Sequence, residues 1–224
     1  VGVFGALTSG DNNVAVGLNA LDLNTTGSNN VAVGHQALPS NTTADNNTAV
    51  GNLALCKNTT GSENTAVGIQ ALCKTTTGCR NTAVGASALV CNTEGCENVA
   101  MGRNAMRCNT TGDSNVGIGA YSLSANTTAN DNTAVGYSSL TANTTGASNT
   151  AVGRSALAAN TTGDCNVAVG FDALKVATCG KNTAVGGRNM EATTTGECNA
   201  SFGYATLISN TTGGNNSAFG YAPM

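Results

Sequence analysis

Apolar positions in this chain recur on a fixed schedule. A glycine closes an Ala-Val-Gly type step at Gly17, Gly34, Gly51, Gly68, Gly85, Gly102, Gly119, Gly136, Gly153 and Gly170, then at Gly186, Gly203 and Gly220. Every step is 17 residues except the one ending at Gly186, where one residue is missing between Gly180 and Asn182. The unit reads Gly-x-x-Ala-Leu-x-x-Asn-Thr-Thr-Gly-x-x-Asn-Thr-Ala-Val. That is too short for a helical-pair repeat, which needs about 33 residues or more. Two glycines, a Thr-Thr pair and a valine per unit also oppose helix. Short strands broken at Gly and Asn fit instead. Coils that stack at the inter-strand spacing of ~4.8 Å build a solenoid. The predicted fold class is therefore all-β, a parallel β-solenoid of about thirteen 17-residue coils, with residues 1–224 forming one repeat domain.

In such a stack each phase of the unit becomes an axial column. One column is Leu21, Leu38, Leu55 and their successors, ending at Met224 and varying only to Met. A second apolar column holds Val33, Val50, Val67 and their equivalents, and both are expected to form the core. An unbroken asparagine column (Asn30, Asn47, Asn64, Asn81 and the rest) predicts amides bonding from coil to coil, with Asn supplying left-handed corners. Gly27, Gly61 and Gly78 are expected to turn another corner at positive φ. The residue before each column valine is almost always Ala, as at Ala32, Ala49 and Ala66. An unvarying small residue on the second strand face predicts that sister chains cover that face, most simply in a parallel trimer.

Composition narrows the function. Only 9% of residues are charged and the formal net charge is −3, so no basic field draws nucleic acid or an anionic membrane. No run approaches the ~20 apolar residues of a spanning helix, so no membrane insertion is expected. Nine cysteines in so polar a chain point to an oxidising compartment. Three pairs sit one repeat apart in a shared phase: Cys56 with Cys73, Cys79 with Cys96, and Cys91 with Cys108. Their Cα atoms should lie ~4.8 Å apart, within the disulfide range of about 4.4–6.8 Å. Cys165 and Cys198 are two coils apart, too far to pair, and with Cys179 form an odd set.

Catalysis has little footing. His35 is the single histidine, and acidic residues are scattered over loop phases. No Cys-x-x-Cys pair suggests a metal, so no catalytic residue, metal or cofactor is expected. The chain is read as a structural, non-enzymatic protein. Thr25, Thr42, Thr59 and their successors form a column that would order water if it faced outward, which makes ice binding the alternative function. Asn-Thr-Thr is also a glycosylation sequon, at Asn24, Asn41, Asn58 and five further sites, but glycans on successive coils ~4.8 Å apart would collide.

The recurring Asn-Thr-Ala-Val-Gly, as at Asn47–Gly51 and Asn64–Gly68, resembles the repeat of trimeric autotransporter adhesin heads. The fuller unit from Asn132 to Gly146 resembles repeats of phage and bacterial tail-fibre-type proteins. The resemblance implies a β-roll, trimeric assembly, a cell-surface or virion-surface location, and adhesion to a surface receptor or glycan. The expected function is an extracellular fibre or filament subunit whose main partner is itself. Neither end shows a polar cap, so head-to-tail stacking into a filament is a second expected mode, mildly opposed by Pro223.

Overall fold

A computed structural model describes Gly2 and residues 4–222; the expected column member Met224 and the strand-blocking Pro223 lie outside the described residues. Among those residues the regular structure is all strand. The thirteen strands are β1 (Val14–Val16), β2 (Val31–Val33), β3 (Thr48–Val50), β4 (Thr65–Val67), β5 (Thr82–Val84), β6 (Val99–Met101), β7 (Val116–Ile118), β8 (Thr133–Val135), β9 (Thr150–Val152), β10 (Val167–Val169), β11 (Thr183–Val185), β12 (Ala200–Phe202) and β13 (Ser217–Phe219). The chain divides into two compact units, Val1–Asp113 with β1–β6 and Ser114–Met224 with β7–β13.

Within each unit consecutive strands pair in parallel one repeat apart. Ala49 faces Ala66 and Val67 faces Val84 in the first unit, and Thr133 faces Thr150 in the second. This is the parallel β-solenoid that the period implies. Axial bonding is not confined to the three-residue strands. Around the coil that begins at Gly51, the amides of Gly51, Leu53 and Glu63 donate to the preceding coil at 2.8, 3.1 and 3.1 Å. Those of Leu55, Lys57, Thr59 and Thr65 donate to the following coil at 3.0, 3.0, 3.1 and 2.8 Å. The corners thus satisfy their backbone groups as the strands do.

The short coil closes without breaking this register. Asn166 Nδ2 donates to the Cys179 carbonyl 13 residues on, where other coils show 14. Thr178 Oγ1 reaches Thr194 O over 16 residues. The omitted residue is therefore the second threonine of the unit, between Thr178 and Cys179, and not a residue next to Lys181.

The leucine column is buried as expected: Leu21, Leu38, Leu55 and their equivalents as far as Met190 are fully inaccessible. Its backbone is unexpected. Every described member lies in the left-handed region, Leu55 at φ 50° and Met106 at φ 49°. Left-handed geometry costs an L-residue about 1–2 kcal/mol and suits β-branched side chains worst. That explains why the column accepts Leu and Met but never Val or Ile: no described residue at positive φ is β-branched.

Two corner expectations are corrected. The asparagines of the unbroken column do not turn the left-handed corner; the residue before each one does, Asn29, Asn46, Glu63 and Arg80 at φ 58°, 60°, 62° and 55°. Gly27, Gly61 and Gly78 are not at positive φ either. They are buried, and a Cβ at Gly61 would run into the carbonyl oxygen of Gly78 in the next coil. Close stacking, not backbone freedom, selects glycine there. Positive φ belongs to the Val-Gly step, from 122° at Gly119 to 138° at Gly170.

Two asparagine columns line the interior. Asn47, Asn64 and Asn81 each donate a backbone N–H to the amide oxygen of the asparagine before, at 2.9, 3.0 and 3.0 Å. Asn30, Asn47 and Asn64 send Nδ2 to carbonyls of the next coil, Ala44, Gly61 and Gly78, at 2.9, 3.0 and 2.8 Å. Asn24, Asn41 and Asn58 form the second column; Asn41 Nδ2 donates to Asn24 Oδ1 at 2.8 Å, and Asn58 Nδ2 to Asn41 Oδ1 at 3.1 Å. These three sequon residues are fully buried, which leaves no space for a glycan on the folded chain.

Candidate interaction surface

The strands decide which residues the molecule shows. In a strand Thr-Ala-Val, alternate side chains point to opposite faces. The sequence pattern puts valine inside and alanine outside, and the structure reverses this. Ala32, Ala49 and Ala66 are fully buried. Val33 and Val50 are half-buried and Val67 is 36% exposed. The physical reason is room: the interior already holds a leucine and two asparagines per coil, and only a methyl group fits beside them. The alanine face therefore packs within its own coil, and the reason for covering it with sister chains falls away.

What faces outward instead is a two-column sheet surface. One column runs Val14, Val31, Thr48, Thr65, Thr82 and Val99 in the first unit, and Val116, Thr133, Thr150, Val167 and Thr183 in the second. The other holds Val16, Val33, Val50, Val67, Val84 and Met101, and then Ile118, Val135, Val152, Val169 and Val185. None of these positions is charged. Val16 is 57% exposed, Met101 42% and Phe202 38%. Phe202 and Phe219 stack outside with ring centroids 5.2 Å apart. Repeated uncharged, β-branched side chains on one sheet make an apolar patch of the kind that marks interaction sites.

The threonine column expected to face ice is largely spent on axial bonds. Thr25 Oγ1 donates to Thr42 O at 2.9 Å, Thr59 to Thr76 O at 3.2 Å and Thr93 to Thr110 O at 3.1 Å. The neighbouring Thr26, Thr43, Thr60 and Thr77 are the exposed ones.

All nine cysteines are free thiols in the structure. Cys79 and Cys96 have their Sγ atoms 2.6 Å apart. The Cys96 contact, then burial, pushes the Cys79 thiol up to about 11. Cys73 is also raised, first by burial and then by the neighbouring Cys56. Cys91 has the ammonium of Lys74 3.8 Å away, and Arg107 lies 3.9 Å from Cys108. Cys165 and Cys198 are exposed. Cys179 points inward, where its Sγ donates to Gly196 O at 2.8 Å, and burial raises it.

His35 is exposed, with Asn52 Nδ2 3.0 Å from its Nδ1. Among the described residues no group of three or more His, Cys, Asp or Glu is arranged to hold a metal. No helix among them is long and apolar enough to cross a membrane. No family model, curated protein or solved structure matches the chain.

Proposed function

We propose that this chain is a non-catalytic, extracellular fibre subunit of the adhesive type, whose copies associate along the outward Thr/Val strand face. The observation that carries the reading is the uncharged, repeating column pair Thr48–Thr65–Thr82 and Val50–Val67–Val84 on an accessible sheet. A surface with a fixed axial period is best matched by another of the same period, which is a second copy in parallel register. A parallel trimer closes such faces around an axis and leaves the loop corners free for a receptor or glycan. Head-to-tail stacking into a filament is the other mode of self-association. The likeness of Asn-Thr-Ala-Val-Gly to adhesin-head and tail-fibre repeats supports the same location, a cell or virion surface.

Sedimentation equilibrium tests the proposal. The native chain should run at three times 22.0 kDa or as longer polymers. Val135→Lys with Val152→Lys should give a folded monomer with unchanged strand signal. A native protein that is monomeric and folded at micromolar concentration contradicts the reading.

One observation favours ice binding as the second reading. Thr133 and Thr150 lie beside Val135 and Val152 on an uncharged sheet face whose threonines repeat at the axial spacing, a surface suited to ordering water. Thermal hysteresis that disappears in Thr150→Lys while the native chain sediments as a monomer would establish it over the fibre.

A further inference from the structure

In a repeat protein, a departure from the repeat that gathers charge is the place to look for a site. Two columns flank each buried leucine: the residue two before it and the residue after it. The first column is uncharged at every coil except two successive ones, where it holds Asp172 and Arg188. In those coils the second column holds Lys175 and Glu191. Lys175 Nζ lies 3.1 Å from Asp172 and Arg188 Nε lies 2.7 Å from Glu191. The signs therefore alternate along the axis and across it, and sum to zero.

Beside this quartet is an open groove of about 400 Å³, lined by Val176, Arg188, Glu191, Ala192 and Ile208. Next to Arg188 in the chain, Gly187 lies against Tyr204, which is 47% exposed; a Cβ at Gly187 would stand 3.4 Å from its ring. Apolar floor, paired donors and acceptors, and an accessible aromatic ring thus meet on one corner. The volume is in the range of small-molecule sites, which combine an apolar lining with a few fixed polar groups.

We infer that this groove binds a neutral saccharide unit, an inference that rests on the adhesive reading and names its ligand. Sugar hydroxyls both donate and accept, so adjacent hydroxyls need donors and acceptors side by side, as Arg188 and Glu191 offer. The C–H face of a sugar ring needs flat apolar surface, which Val176, Ala192 and Ile208 provide. With no uncompensated charge, the groove has nothing to select a phosphate or carboxylate. So shallow a site binds weakly alone, and an assembly of copies multiplies it.

Saturation-transfer NMR on the full chain tests this with the methyl glycosides of glucose, galactose, mannose and N-acetylglucosamine as probes and sialyllactose as the anionic control. At least one neutral glycoside should receive saturation. The signal should fall about tenfold in Arg188→Gln, a substitution that this column already carries at Gln36 and Gln70. Ala192→Phe, which fills the groove and leaves all four charges, should abolish it at an unchanged melting temperature. Absence of binding for every neutral probe, preferential binding of sialyllactose, or binding that survives both variants overturns the inference. Attachment of labelled chain to cells separates the two readings. Attachment equal in parent and Arg188→Gln removes the groove and keeps adhesion. Saccharide binding without attachment keeps the groove and removes adhesion.

Discussion

Cys79 Sγ lies 2.6 Å from Cys96 Sγ, one coil apart and in the same column. That is inside van der Waals contact and about 0.5 Å beyond a disulfide bond. Other coils use this column for axial bonds: Ser28 N–H donates to Asp45 Oδ1 at 2.7 Å and Asp45 N–H to Ser62 Oγ at 3.2 Å. Cys79 N–H donates instead to Cys96 Sγ at 3.0 Å, a weaker acceptor. Here the covalent bond is the natural replacement. With oxidised glutathione as oxidant, the two thiols lose two protons and two electrons and the oxidant is cleaved to two thiols. The Cys79–Cys96 link should appear in the peptide map and raise stability by about 3 kcal/mol for a 17-residue loop. The thiolate is the attacking species, so a thiol raised to about 11 reacts slowly at pH 8 and faster as pH rises. Iodoacetamide at pH 8 should label exposed Cys165 and Cys198 before Cys79. A map that links cysteines at unrelated offsets would contradict the stacking.

The leucine column separates side-chain volume from backbone geometry. Leu72 is fully buried at φ 50°. Leu72→Met, which the column already accepts at Met106, should cost less than about 1.5 kcal/mol. Leu72→Ile has the same volume but adds β-branching at a left-handed residue, the geometry β-branched side chains tolerate worst, and should lower the urea midpoint further than Leu72→Met does. Urea unfolding of the two variants checks the order, and equal midpoints would show that the left-handed corner imposes no cost.

The second asparagine column is broken at Thr75, Ala177 and Thr193, and the first two breaks each orphan an amide. Asn58 Oδ1 and Asn160 Oδ1 are buried without partners because the next coil offers no Nδ2. Thr75 Oγ1 is likewise unpaired. Thr75→Asn should give Asn58 Oδ1 an Nδ2 donor from the next coil, as Asn58 Nδ2 gives Asn41 Oδ1 at 3.1 Å, and stabilise the chain by about 1 kcal/mol. A melting temperature at or below the parent value would show that the column does not act through amide bonding.

Periodicity made the solenoid, the leucine core and the buried asparagines legible, because columns at one spacing follow from arithmetic alone. Which strand face turns inward was not legible. Alternation gives two faces, and preferring Val50 to Ala49 for the core ignored how much Leu55, Asn47 and Asn58 already fill. The second asparagine column was hidden because Asn24 and Asn41 also read as sequons. Left-handed leucines left one trace, the absence of Val and Ile from an otherwise permissive apolar column. The groove beside Arg188 and Glu191 also had a signal, Asp172 and Arg188 in adjacent coils of a column that is uncharged elsewhere.

Residues one repeat apart sit directly over one another, and everything else depends on that. X-ray diffraction from an oriented film of the protein measures it. A strong reflection at about 4.8 Å along the assembly axis is the predicted result. A film that lacks it, or shows the ~5.4 Å pitch of α-helix in its place, contradicts the account.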